Sequence, residues 1–116
     1  MKKTIKKLDN NVVKALTIAC ETAKDKVVGF EWLTHTADFS NFPNSLMVTC
    51  IFDTDSHRQL AVENEHDIYL RKLIQGQLLK VGIVLKDPRR NVFFDSEDKC
   101  HAEHGGDWQR RLEVKH

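Results

Sequence analysis

Residues 83–106 read IVLKDPRRNVFFDSEDKCHAEHGG, and this stretch combines apolar, basic and acidic residues more densely than the rest of the chain. Its apolar runs, 83–85 and 91–94, predict two short strands, because both are rich in β-branched or aromatic residues. Pro88 has no N–H to donate to a sheet, so it predicts a turn over 86–90. Asp95 or Ser96 then predicts the start of a short helix, which the two following glycines end.

The chain before this stretch contains two helical patterns and two strand patterns. A helix is predicted from Asp9 or Asn10 to about residue 27, and a second one from about residue 68 to residue 81. Residues 30–36 and 46–52 predict two strands, which a wide loop joins as an antiparallel hairpin.

Two shorter segments complete the predicted fold. Residues 53–56 can cap a short helix that runs to about residue 60, and residues 107–112 predict a last helical turn. The sequence therefore predicts an α+β fold. We expect a small antiparallel or mixed sheet of three to four strands, packed with two main helices and a short C-terminal helix.

The length of 116 residues predicts a single domain over residues 1–116, in which residues 1–8 form a basic, flexible N-terminal arm. The net charge of +1 creates no overall field that would attract nucleic acid or membrane, so such binding requires a local patch.

Three widely spaced cysteines do not form a disulfide framework, which favours a reducing compartment. With no signal-peptide pattern and no long apolar run, we expect a cytoplasmic protein without membrane contact.

Basic residues supply the leading candidate site. The turn and the end of the chain together contain Lys86, Arg89, Arg90, Arg110 and Arg111. With the lysines at positions 2, 3, 6 and 7, they could form a surface that follows phosphates. The alternative is a set of solvated charges that neighbouring acids neutralise.

Three carboxylates supply an alternative site. Asp53 and Asp55 follow one predicted strand, and Asp95 follows another. Acids that converge at strand ends can bind Mg²⁺, and such a site could support phosphoester hydrolysis. The competing interpretation is that these residues cap the helices that follow them, where their oxygens accept bonds from backbone amides.

Other chemical signals are weaker. Cys100 and His104 lie one helical turn apart with His101 turned away, whereas zinc requires three or four converging ligands. Cys50 falls in a strand pattern that would bury its thiol, which does not favour a nucleophile paired with His35. The sequence contains no Walker loop, no G-x-G-x-x-G, no H-E-x-x-H and no G-x-S-x-G, so no catalytic motif is identified and no cofactor is expected.

Five segments of the chain form a recognisable combination: GFEWLTH (29–35), FPNSL (42–46), LKDPRR (85–90), FDSE (94–97) and EHGGDW (103–108). Over roughly residues 5–112 the chain thereby resembles a family of small proteobacterial proteins often labelled "Fis family transcriptional regulator". The resemblance implies a DNA-binding regulator, with a helix-turn-helix formed by residues 96–104, a Gly-Gly turn and residues 107–114. The second of these helices contains Arg110, Arg111 and Lys115.

Taken together, these observations favour a non-enzymatic domain that binds a macromolecule, either a protein or a nucleic acid, as a monomer or a homodimer. A protein partner is slightly favoured because the net charge is close to zero. The alternatives are a metal-dependent phosphoesterase or nuclease that uses the three aspartates, and the DNA-binding regulator that the resemblance implies.

Overall fold

The computed structural model describes the backbone of residues 3–115 and the side chains of residues 5–113. In chain order the elements are helix α1 (Lys3–Lys26), strands β1 (Phe30–Thr36) and β2 (Met47–Phe52), helices α2 (Asp55–Glu63) and α3 (His66–Lys80), strand β3 (Val92–Ser96), and helices α4 (Glu97–His104) and α5 (Trp108–Lys115). Short 3-10 turns span Phe39–Asn41 and Pro88–Arg90. This three-stranded mixed sheet with its helices confirms the predicted α+β fold.

The sheet has the order β1-β2-β3. The first two strands are antiparallel, with Thr36 opposite Met47, which confirms the predicted hairpin. The third strand is parallel to the second, from Val48 opposite Val92 to Phe52 opposite Ser96. Parallel neighbours need a long crossover, and the pair α2–α3 provides it.

The predicted strand over residues 83–85 is wrong. Ile83 and Leu85 are buried, but their backbone belongs to no strand. The carbonyl of Leu85 instead accepts a hydrogen bond from Nε2 of Gln75 on α3, at 2.8 Å. A side chain therefore satisfies this backbone group, and apolar alternation alone could not distinguish such a segment from a strand.

Helices cover both faces of the sheet. The main core joins the apolar sides of α1 and α3 to one sheet face, through Val48, Cys50 and Phe52 of β2. On the opposite face, the ring of Trp108 on α5 meets the ring of Trp32 edge-on at a centroid distance of 5.5 Å. Within the described residues, no helix is long and apolar enough to cross a membrane.

Helix α1 begins earlier than predicted. The sequence places its start at Asp9 or Asn10, but residues 3–8 already belong to the helix, while residues 1 and 2 of the predicted arm lie outside the described residues. Asp9 does not cap the helix; its Oδ1 lies 3.3 Å from Nε2 of His35 on β1. Asp9, a residue type that often caps helices, therefore makes a tertiary contact with β1 instead.

Three other helix termini follow local chemistry. Thr54 caps α2, its Oγ1 accepting from the amide of His57 at 3.1 Å, and Ser96 caps α4 in the same way. Gly105 ends α4 with a positive φ of 60°, a conformation that glycine adopts without steric penalty.

Gly76→Ala should stabilise the protein. Gly76 lies inside α3, and a Cβ built there meets no atom within 4 Å, so the gain in helix propensity should raise the free energy of unfolding by up to about 1 kcal/mol. Urea unfolding followed by circular dichroism would measure it. Gly29→Ala is the matched control with the opposite sign, because Gly29 has φ +84° and its Cβ would lie 2.5 Å from the Cβ of His57. A destabilising Gly76→Ala would contradict the geometry of α3.

Candidate functional site

Strand directions bring several connections to one end of the sheet. β1 ends opposite the residue at which β2 begins. At the same level the amide of Val48 donates to the carbonyl of Asn91, directly before β3, at 2.7 Å. The loop between β1 and β2 and the turn before β3 therefore lie side by side.

Two helices contribute to this end as well. The contact between Asp9 and His35 places the first turns of α1 beside the end of β1. Helix α3 returns the chain from the far end of β2 toward the start of β3, so its last residue, Lys80, also lies near this end. Lysines from α1 and α3 thereby join the basic turn 86–90.

We call this region the basic end and define it by six exposed cations: Lys6, Lys7, Lys80, Lys86, Arg89 and Arg90. Acids lie at this end as well, among them the exposed Glu113, which lines a hollow with Thr36 at the end of β1. Asp9 faces His35, and Asp38 accepts bonds from Ser40. Asp87 pairs with Arg89. The basic end therefore has a surplus of positive charge.

The opposite end of the sheet, where β2 and β3 finish, contains more carboxylates. They lie at the starts of α2, α4 and α5: Asp53, Asp55, Glu97, Asp98 and Asp107. Arg58, Lys99 and Arg111 pair with acids of this region. The net charge of +1 thus conceals a partial separation of charge along the strand direction. Such separation gives a protein a local field that its net charge does not reveal.

A cleft of about 370 Å³ opens at the basic end. Lys86, Asp87 and Arg90 line it on one side, and Pro43 and Asn44 line it on the other, together with Val84, Leu85 and Asn91. The cleft therefore offers cations beside apolar and amide groups, a combination that suits an anionic partner.

Two hydrogen-bonded residues hold the cleft in shape. Asn91 is buried, and its Nδ2 donates to the carbonyl of Leu46 at 2.7 Å, which ties the turn to the loop before β2. Asp87 caps the 3-10 turn through the amide of Arg89 at 3.2 Å. The hydrogen bond from the Arg89 side chain holds the pKa of Asp87 below its usual range. Because the Arg89 side chain is 79% exposed, this pair contributes little to stability.

The remaining predicted basic residues do not join the cleft. Arg110 is exposed on α5 and is not among the residues that line it. Arg111 was predicted as a surface cation, and this is wrong: its side chain is 1% exposed. Arg110 is exposed and Arg111 is buried although they are adjacent in sequence. The charge pattern alone does not reveal this difference.

Arg111 forms a buried ion pair with Asp95. Its Nε and Nη2 donate to the two carboxylate oxygens at 2.6 and 2.9 Å. Its Nη1 contacts Glu103 at 3.1 Å and Nδ1 of His104 at 3.2 Å. The hydrogen bond to Asp95 raises the pKa of Arg111, so the guanidinium stays charged in spite of its burial.

The three aspartates predicted as a metal site do not act together. Asp53 bonds His57 Nδ1 at 2.6 Å, and Asp55 bonds Arg58 Nε at 2.6 Å. Asp95 bonds Arg111. Among the side chains of residues 5–113, no group of three His, Cys, Asp or Glu residues is arranged to hold a metal ion. Each of the three carboxylates instead bonds a different side chain of the protein.

The chain matches no protein-family model, no curated protein and no solved structure. The resemblance to the Fis-labelled family therefore stays a prediction. Helix α4, the Gly-Gly turn and α5 do lie where that resemblance implies a helix-turn-helix. Because Arg111 is buried against Asp95, it is not available to contact DNA from this position.

Sequence reasoning missed Lys80. A lysine in the last turn of a helix is usually explained by its favourable interaction with the helix dipole, and only the return path of α3 brings Lys80 to the basic end. In contrast, Lys6 and Lys7 were grouped with the basic turn in advance, and the structure places them at the same end.

Arg111→Met should lower the free energy of unfolding by about 3–5 kcal/mol, because it leaves the Asp95 carboxylate buried without its partner. Urea unfolding would measure this loss, with Arg110→Met on the exposed side of α5 as the control that changes stability by less than about 0.5 kcal/mol. The double variant Asp95→Leu/Arg111→Met should recover much of the loss. Equal effects of Arg110→Met and Arg111→Met would contradict the buried pair.

The three cysteines should differ in reactivity. Burial raises the thiol pKa of Cys50 and of Cys100, whereas Cys20 is half-buried. Since the thiolate is the reactive form, a thiol reagent should modify Cys20 first in the folded protein and the other two only on unfolding. Mass spectrometry of peptides at timed intervals would check the order. Early modification of Cys50 would argue against its position in the core.

Proposed function

We propose that the protein is a non-enzymatic module that binds nucleic acid through the phosphates that contact its basic end. The observation that carries the proposal is the chain path, which brings six exposed cations of α1, α3 and the turn 86–90 toward one end of the sheet, where they outnumber the acids Asp9, Asp38, Asp87 and Glu113. Each cation that neutralises a phosphate releases a counterion, which favours binding at low salt. The near-neutral net charge favours a protein partner. This argument is weaker here because exposed cations outnumber acids at the basic end.

Two aromatic residues in the loop between β1 and β2 favour single strands over duplexes. The rings of Phe39 and Phe42 stack at a centroid distance of 5.1 Å and are both half-buried. They belong to the loop that supplies Pro43 to the cleft wall. Unpaired bases stack on aromatic side chains while basic groups track the backbone, the combination found in proteins that bind single strands without sequence preference.

The proposal differs from the regulator that the family resemblance implies. A helix-turn-helix reads bases with an exposed recognition helix, whereas the basic end lies on connections and helix ends. Binding there contacts phosphates mainly and should depend little on sequence. An acidic protein could be attracted by the same charges, and the experiment below distinguishes the two.

Fluorescence anisotropy of labelled single-stranded DNA, single-stranded RNA and duplex DNA would test the proposal, at about 50 and about 200 mM salt. We expect binding to single strands that weakens steeply with salt. Lys86→Gln/Arg90→Gln should weaken it at low salt and should reduce the slope of log K against log salt by about 1–2. The matched control is Lys24→Gln/Lys26→Gln, which removes the same charge from exposed positions at the other end of α1.

Several results would overturn the proposal. No binding at the lower salt concentration removes nucleic acid as the partner and leaves an acidic protein, to be sought by affinity capture. Equal weakening by the two double variants would show that overall charge, and not the basic end, controls binding. Binding that is lost only in α5 variants would favour the helix-turn-helix interpretation instead.

A further inference from the structure

A second cleft, of about 470 Å³, opens beside the edge strand β3. Its apolar wall comes from half-buried side chains: Met47, Phe93, Phe94 and Leu112. Its polar wall contains Arg58 of α2, Arg71 of α3 and Thr49 of β2, with the buried Asp95 behind them. None of these residues belongs to the basic end, so this cleft is a separate feature of the surface.

Arg71 is incompletely satisfied. Its Nη1 lies 3.3 Å from Asp67 Oδ2, and its Nη2 lies 3.4 Å from the carbonyl of Val92, both at the long limit for hydrogen bonds. Its Nε is buried and has no hydrogen-bond partner among the described residues. A buried donor without an acceptor is unfavourable, so an acceptor that entered beside this guanidinium would relieve a deficit already present.

The position of Arg71 is nevertheless defined. Its guanidinium lies over the ring of Phe94, 4.9 Å from the centroid, and cations are attracted to the face of an aromatic ring. A small rotation of the Arg71 guanidinium over this ring can therefore reorient its N–H donors while its positive charge stays in the cleft. Arg58 faces the same space from α2, where Asp55 fixes it through Nε and Nη2 at 2.6 and 3.3 Å.

The charge balance restricts what the cleft can hold. Three arginines at this place, Arg58, Arg71 and Arg111, each have an aspartate partner. A multiply charged phosphate would face these aspartates without a matching surplus of cations. A single negative charge with an apolar body suits the site better, because the body can cover the aromatic and aliphatic wall while its head meets the arginines.

We propose that this cleft binds a small monocarboxylate with an apolar body, its carboxylate accepting hydrogen bonds from Arg71, with Arg58 completing the positive side of the site. The proposal is independent of nucleic-acid binding at the basic end. Arginine suits the role because its planar guanidinium can donate two bonds to one carboxylate.

Titration of the nitrogen-labelled protein with phenylacetate and with octanoate, each to about 10 mM, would test the proposal by proton–nitrogen NMR. We expect saturable shifts at the amides of Met47, Thr49, Phe93 and Leu112. The Nε–H signal of Arg71, assigned by its loss in Arg71→Lys, should move downfield as it gains an acceptor. The backbone amide shifts are read on the unaltered protein, and only the assignment of the Arg71 signal uses a variant.

Controls separate the carboxylate contact from general effects. Phenylacetamide, which has the same ring without the charge, should bind at least about tenfold more weakly, as should phenylacetate to Arg71→Met. Arg58→Gln is the second variant, should Arg71→Met fail to fold, and should weaken phenylacetate binding as well. Arg90→Gln removes one charge from the other cleft and should leave the titration unchanged.

Three outcomes would overturn the proposal. The first is the absence of saturable shifts at these positions with either carboxylate. The second is equal binding of phenylacetate and phenylacetamide, which would show an apolar pocket without carboxylate recognition. The third is a titration in which the Arg71 Nε–H signal does not move while amides at the basic end do.

Discussion

The parallel pairing of β2 with β3 is the constraint on which the rest of the structure depends. A hairpin cannot join two parallel strands, so after Phe52 the chain must return to the start of the sheet before it enters β3. Helices α2 and α3 make that return, and α3 delivers Lys80 and the turn 86–90 to the end where β2 begins. The antiparallel β1 brings the first turns of α1 to the same end through His35 and Asp9. Strand direction therefore assembles the basic end from segments that are distant in sequence.

The buried pair between Asp95 and Arg111 organises the other face of the sheet. It joins the end of β3 to α5, and Glu103, His104 and the Lys99 carbonyl of α4 surround Nη1 of the guanidinium. Charges removed from water lose much of their hydration free energy, so such a pair is tolerable only with this degree of hydrogen bonding. The pair also withdraws one cation from the surface and helps to place Leu112 on the wall of the second cleft.

The two clefts have different chemical characters although both contain basic residues. At the basic end the cations are exposed and outnumber the acids, so their field extends into solvent and suits a large anionic partner. Beside β3 every arginine has an aspartate partner and aromatic rings form much of the wall, so recognition there depends on short-range contacts. In our two proposals the basic end therefore serves a macromolecule, and the cleft beside β3 serves a small molecule.

The sequence by itself determined the elements whose signals are local. The helical spacing of α1 and α3, the strands β1 and β2, the start of α4 at Asp95 or Ser96 and its end at the two glycines all follow from side chains within a few residues of one another. It also identified the basic turn. Only the tertiary structure decided that β3 is parallel, that the Leu85 carbonyl pairs with a side chain of α3, that Arg111 is buried while Arg110 is exposed, and that the three aspartates bond three different side chains. The physical reason is the same in each case: strand partners, burial and ion pairs depend on which distant segments meet, and no periodicity along the chain encodes that.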